Sequence, residues 1–187
     1  MDVRVLADAH AVAAWTAGSI ARRIRAAIAA RGRASIALSG GTTPKLMVGM
    51  LAGAALRWDL VDVFQVDERV APDGHPDRNA ALLDLLPATA RVVPMPVTAP
   101  DLHEAARRYG AALPDRLDVV HLGMGDDGHT ASWAPDDPVV DSSEPVDLSG
   151  EYQGRIRMTL TPAPVNAARS RIVMVTGAAK EAAVAGW

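Results

Sequence analysis

The sequence predicts an α/β fold, a Rossmann-like three-layer sandwich built on a mostly parallel sheet. Three observations carry this expectation. Short apolar runs alternate with helical patterns almost throughout the chain. Glycines and polar residues collect in the loops that follow the apolar runs, where an open parallel sheet places its ligand site. The chain has 187 residues and is 49% hydrophobic, enough for a sizeable core in one domain spanning 1–187.

The elements follow in order. Val3–Leu6 is a short strand candidate. Ala9 to Ala30 is an alanine-rich helix with Val12, Trp15, Ile20, Ile24 and Ile28 at helical spacing. ASIALSGG is a strand running into glycines, and TPKLMVGML opens with Thr43 and Pro44, a good helix start. VDVFQVDER alternates and reads as a strand, followed by the turn-rich loop VAPDGHPDRN. Asn79 to Leu86 is a short helix that Asn79 is placed to cap, and RVVPMP is a short strand. DLHEAARRYGAAL is a helix with Asp101 as N-cap, and LDVVHLGMG is a buried strand. The polar stretch PDDPVVDSSEPVDLSGEYQG reads as one long loop. RIRMTLT is a strand, APVNAARS a short helix, RIVMVTG a strand, and AAKEAAVAGW a helix.

Composition narrows the function. Aromatics are only 4%, so Ala, Val, Leu, Ile and Met must build the core. The net charge of −3 gives no reason to expect nucleic acid or a membrane as partner. With no cysteine, disulfides, thiolate catalysis and cysteine metal sites are excluded. No histidine pair has ligand spacing, so no metal site is expected. No apolar run of roughly 18 residues occurs, and acids and His10 interrupt any N-terminal signal sequence. A cytoplasmic monomer is the expectation.

Four loops fall at the carboxyl edge of the sheet. In SGGTTPK, Ser39, Gly40, Gly41 and Thr42 form a phosphate cradle or a plain strand–turn–helix junction, and Thr43 adds a further hydroxyl. In DER, Arg69 could clamp a phosphate or carboxylate, while Asp67 could act as a base or an orienting group; a surface ion pair is the plainer reading. GMGDDGHT carries Asp127 and His129 either side of a glycine. A carboxylate can hold an imidazole and balance its charged form, which makes His129 a general-base candidate; otherwise the loop is a turn whose histidine caps a helix. The fourth loop, TGAAK, ends on Lys180. Among the 19 basic residues only Lys45 and Lys180 are lysines. His75 lies near the proposed mouth, His121 reads as a satisfied core residue, and Trp15, Trp58 and Trp133 read as core or pocket wall.

Taken in register, LSGGTTPK, VDERVAPDGHPDRN, LGMGDDGHTAS, RMTLTPAPVNAAR and VTGAAK resemble the 6-phosphogluconolactonase family, within the larger glucosamine-6-phosphate isomerase/6-phosphogluconolactonase group. The resemblance spans about Val3 to Lys180. It implies a Rossmann-like fold, no cofactor, and hydrolysis of a small phosphosugar lactone, 6-phospho-D-glucono-1,5-lactone, in the pentose phosphate pathway. In that reading His129 deprotonates the attacking water and Asp127 holds its ring. Arg69 and Lys180 bind phosphate beside the Ser39–Thr42 cradle, and Arg157 sits near the substrate, as does Asp67. The oxyanion donor is either a backbone N–H of GMGDDG or Arg69. Lys180 is placed one turn into a helix whose N-terminus favours an anion, and Lys45 on a helix surface.

There are departures from the family pattern. Deaminating relatives carry an acid before the proline in G-H-x-A-F-N-E-P, where this chain has Ala134, which favours the lactonase. Trp133 and Asp136 are expected to alter the pocket rim, and Asp126 to raise the pKa of a neighbouring carboxylate. The chain stops short of the usual family length, so a helix and a strand are expected to be missing and an edge uncovered. Deaminase or isomerase activity with Asp67 as base, or a non-catalytic sugar-phosphate sensor, are the alternatives.

Overall fold

The computed structural model describes residues 2–186. Helix α1 (Ala9–Arg31) leads into β1 (Ala34–Leu38), α2 (Thr42–Ala52), β2 (Val61–Gln65), β3 (Asp67–Arg69) and β4 (Arg91–Val93). Helix α3 (Leu102–Ala112), β5 (Val119–Leu122), β6 (Val146–Leu148) and β7 (Arg157–Leu160) follow. The described chain closes with α4 (Pro162–Ala167), β8 (Arg171–Val173) and α5 (Glu181–Ala185).

Five strands form a parallel sheet in the order β4-β2-β1-β5-β8. Alternate residues of each strand serve opposite layers. Ile36, Val63 and Val119 face α1 and α2. Ala37, Phe64 and Val120 face α3, α4 and a second sheet, so the expected three layers are present. The chain moves outward from β1 to β2 and β4, then crosses back to β5 on the other side of β1. This reversal makes the β1–β5 boundary the topological switch point, where open sheets leave a crevice.

Helix α1 forms where its pattern predicts. The Asp8 carboxylate accepts from Ala11 N–H at 2.8 Å, and Gly32 closes the helix at φ 79° with its N–H on the Ile28 carbonyl. Its buried face keeps Ile20 and Ile24 of the expected stripe, with Val12 and Ile28 partly buried beside them, and departs from it at Trp15. Ala13, Ala17, Ile20, Ile24 and Ala27 are buried, while Trp15 stays half-exposed with the Arg4 guanidinium over its ring. Alanine lets the helix lie close to the sheet and to α2, and that closeness selects the stripe. Asp101 caps α3 as predicted, accepting from Glu104 N–H at 2.9 Å.

Other expectations need correction. Val3–Leu6 forms no strand; Val3 and Val5 are exposed and no neighbouring strand pairs with them. VDVFQVDER is two strands, divided at Val66. The Val66 N–H continues the parallel ladder to the Leu38 carbonyl at 3.0 Å, while its carbonyl accepts from Leu160 N–H at 2.8 Å. The chain thereby passes from the main sheet into a three-stranded antiparallel sheet, β3-β7-β6. The stretch expected as one long loop contributes β6 to that sheet and a 3-10 turn at Pro138–Asp141.

The segment Asn79–Leu85 is a 3-10 helix, and Asn79 does not cap it. Glu68, fully buried, does so from β3: its carboxylate accepts from the N–H groups of Asn79 at 2.7 Å and Ala80 at 2.8 Å. His121 is a core residue, but not a satisfied one, because neither ring nitrogen has a partner. Burial pushes its pKa down to about 4, so it is neutral at ordinary pH.

Candidate active site

The loops leaving β1 and β5 meet at the switch point. Ser39 N–H donates to the His121 carbonyl at 3.2 Å, which ties the two strand ends together. A cavity of about 310 Å³ opens there, and all four predicted loops reach it. Ser39, Gly40, Gly41 and Thr42 come from the first, Asp67, Arg69 and Asn79 from the second, Gly123 to Gly125 and His129 to Ala131 from the third and Lys180 from the fourth; Arg157 joins them from β7. Of the predicted site residues, only Asp127 does not line the cavity.

Asp127 stands behind His129. His129 Nδ1 lies 2.5 Å from Asp127 Oδ1, and the His129 N–H donates to the same oxygen at 3.2 Å. A carboxylate can only accept, so Nδ1 carries the hydrogen and Nε2 is left with its lone pair. Burial alone would raise the Asp127 pKa, but hydrogen bonds from His129 and Tyr152 hold it down at about 2. Asp126 therefore does not raise its neighbour, contrary to expectation. Its own carboxylate is turned to Lys180, with Oδ1 2.5 Å from Nζ.

Glycine makes the His129 geometry possible. A Cβ on Gly125 would lie 2.1 Å from His129 Nδ1 and 2.5 Å from Asp127 Oδ1, so only glycine fits there. The Gly125 N–H donates to the His129 carbonyl at 2.7 Å, and Gly128 N–H to the Gly125 carbonyl at 3.2 Å. Both groups are engaged within the loop, which removes them as oxyanion donors.

The cavity that His129 lines also has a cationic wall. Arg69 Nη1 donates to Asn79 Oδ1 and to the Asp77 carbonyl, both at 2.8 Å. Arg157 Nη2 donates to Gln153 Oε1 at 3.1 Å. The Nε of each arginine and the Ser39 hydroxyl are buried without a partner. Burial and the neighbouring Arg69 charge lower the Arg157 pKa. Three unpaired donors around one cavity would be costly in a finished core, at about 1–3 kcal/mol each. A phosphate or carboxylate would satisfy them.

Asp67 lies between these groups. It is buried, and Ser132 Oγ donates to its Oδ2 at 2.8 Å. Burial raises its pKa, with Arg69 and the Ser132 hydrogen bond working against the shift.

Several expectations move. Lys180 ends a 3-10 turn before the five-residue α5, and its partner is Asp126 rather than a helix terminus. Lys45 is exposed on α2, as expected. His75 does not line the cavity; its Nε2 lies 3.1 Å from Arg155 Nη2. Trp133 does not shape the rim, because its Nε1 donates to the Leu160 carbonyl at 2.8 Å.

Sequence reasoning missed Asn79, Ser132 and Tyr152. A Cβ on Gly40 would lie 1.9 Å from Asn79 Oδ1, so Gly40 makes room for the amide that orients Arg69. Tyr152 OH donates to Asp127 Oδ2 at 2.8 Å. Among the described residues, no cluster of three or more His, Asp or Glu side chains is arranged to hold a metal ion, and no helix is long and apolar enough to cross a membrane.

Fold and site together define an α/β protein whose cationic cavity would suit a small anion beside a carboxylate-held histidine. The chain belongs to the glucosamine-6-phosphate isomerase/6-phosphogluconolactonase family, whose model matches residues 7–187. It is 45% identical over 145 residues to the 6-phosphogluconolactonase of Pseudomonas putida, covering 74% of this chain and 60% of that protein. It is 37% identical over 164 residues to that of Synechocystis, covering 79% and 68% respectively. The 6-phosphogluconolactonase structure from Trypanosoma brucei superposes with a TM-score of 0.82 at 28% identity, over 98% of this chain and 84% of that one. A Shewanella baltica structure gives 0.89 at 24% identity, over 97% and 83%, and shows the same fold.

Proposed function

We propose that this chain is a 6-phosphogluconolactonase, hydrolysing 6-phospho-D-glucono-1,5-lactone to 6-phospho-D-gluconate in the oxidative pentose phosphate pathway. The observation that carries the proposal is the 2.5 Å His129–Asp127 pair beside a cavity lined by Arg69, Arg157 and Lys180. The curated relatives described above bear that enzyme's name, which supports the same reading.

His129 Nε2 takes a proton from water as its oxygen attacks C1 of the lactone, and Asp127 balances the imidazolium. The tetrahedral oxyanion collapses and the bond from C1 to the ring oxygen breaks. The imidazolium returns its proton to that leaving oxygen. Arg69 and Lys180 hold the phosphate beside Ser39, Gly40, Gly41 and Thr42, which fixes C1 against His129. Arg157 and Asp67 lie along the substrate. In this proposal the enzyme works as a cytoplasmic monomer.

One observation favours a second reading. Asp67 is a buried carboxyl of raised pKa inside the cavity, the character of a proton acceptor for sugar isomerisation. Ala134 stands where deaminating relatives carry an acid, which favours the lactonase. Side-by-side assays separate the two. Loss of lactone without ammonia release from glucosamine 6-phosphate supports the proposal; ammonia release with no lactone hydrolysis refutes it.

A further inference from the structure

We propose that Tyr152 is a positioning residue that sets the orientation and basicity of the Asp127–His129 pair and couples it to Arg157. The kinetic part of this inference rests on the lactonase reading; the structural part does not.

Three separate contacts converge on this side chain. Its hydroxyl donates to Asp127 Oδ2 at 2.8 Å, the oxygen that His129 does not use. Its ring meets the His129 ring edge to face, with centroids 5.2 Å apart and planes at 69°. The Arg157 guanidinium lies over the same ring, 5.0 Å from its centroid. One side chain thus touches the base, the carboxylate that holds the base, and a cation of the anion-binding wall.

The backbone holds Tyr152 firmly enough for this role. Tyr152 and Arg155 exchange backbone hydrogen bonds at 3.0 and 3.3 Å across a tight turn. Gln153 and Gly154, between them, both have positive φ, 53° and 76°. Two left-handed residues are the pattern of a type I′ hairpin turn, and Gln153 adopts it without being glycine. The turn is tied down on both sides. Gln153 Oε1 accepts from Arg157, and Arg155 Nε donates to the Asp77 carboxylate at 3.2 Å.

The chemistry follows from the two oxygens of one carboxylate. With Oδ2 free, Asp127, whose side chain is 32% exposed, could turn about its terminal bond and release the imidazole. The tyrosine hydroxyl fixes the carboxylate plane. It also draws charge from the carboxylate and so tempers its pull on the imidazolium. The other charged groups around His129 are Asp126 with Lys180, Asp67 and Arg69 on β3, and Arg157 on β7. None of them donates to Asp127 Oδ2.

The test is an NMR titration of the His129 ring in the intact chain, assigned by its loss in His129→Gln. Tyr152→Phe keeps the ring and removes the hydroxyl. Asp127 then acts undivided on the imidazole, and the His129 midpoint moves upward. In the same variant kcat at its plateau falls about tenfold while KM holds within about twofold. Tyr152→Leu also takes the ring from under Arg157 and raises KM severalfold. A His129 midpoint and kcat both unchanged in Tyr152→Phe would overturn the proposal. The titration needs no turnover, so an inactive wild type would refute the lactonase reading and leave the midpoint to decide on Tyr152.

Discussion

Asp127 Oδ1 holds His129 Nδ1 at 2.5 Å from outside the cavity that His129 lines. In the proposed mechanism the carboxylate therefore acts through the ring rather than on substrate. Asp127→Asn replaces an acceptor with a group that can present a donor, and permits the wrong tautomer. We expect kcat to fall about a hundredfold or more, with KM little changed. Steady-state kinetics at pH 7 checks this, and an equal loss in kcat and 1/KM would point to binding instead.

Gly125 is required by its neighbours rather than by its own backbone. Gly125→Ala places a methyl 2.1 Å from His129 Nδ1 and must push the ring off Asp127. Activity should fall at least about a hundredfold. Gly49→Ala, in α2 with open space around it, is the control. It should keep full activity and stabilise the fold by about 0.5–1 kcal/mol, seen as a higher melting temperature.

Asp67 costs stability at neutral pH. Burial raises its pKa, so the charged form is disfavoured in the folded state. Folding is most favourable with Asp67 protonated, below the unfolded value of about 4. That advantage is lost as pH rises through the higher folded value. Asp67→Asn should therefore raise the melting temperature at pH 7, with the gain shrinking towards pH 4, while lowering activity. Denaturation curves across this range decide it; a gain independent of pH would contradict the assignment.

Under the proposed function, Asp126 competes with the substrate phosphate for Lys180. Lys180 Nζ is 2.5 Å from Asp126 Oδ1, and the Asp126 side chain is 73% exposed. Asp126→Asn should free Lys180 and lower KM for the phosphorylated lactone about two- to fivefold at low salt, with the difference fading as salt screens the pair. Lys180→Ala should raise KM more than it lowers kcat. An unchanged KM in Asp126→Asn at low salt would count against Lys180 as a phosphate ligand.

Much of the site was legible because its signals are local. Asp101 opens α3 as its N-cap, and the apolar run of β1 ends on Ser39, Gly40 and Gly41. Such runs place the polar loops at one edge of the sheet, and Asp127 and His129 sit two residues apart. What was not legible depends on distant partners. The alternation of VDVFQVDER continues through Val66, so nothing in it marks the change of sheet; Leu160, 94 positions later by number, decides it. Glu68 caps a helical turn from a strand, which no capping pattern describes. Tyr152 reaches Asp127 from a polar stretch that reads as loop, and only the pairing of β6 with β7 brings it there. The segment Val3–Leu6 shows the reverse failure, since strand-forming residues without a neighbour form no strand.

The central claim is that His129 activates water for lactone hydrolysis. It is tested most directly with freshly generated 6-phosphogluconolactone, its product followed by a coupled dehydrogenase and corrected for spontaneous opening. The wild-type chain should hydrolyse the lactone well above the spontaneous rate, and His129→Ala, with an unchanged melting temperature, should return it to that rate. A His129→Ala variant that keeps wild-type turnover would contradict the account.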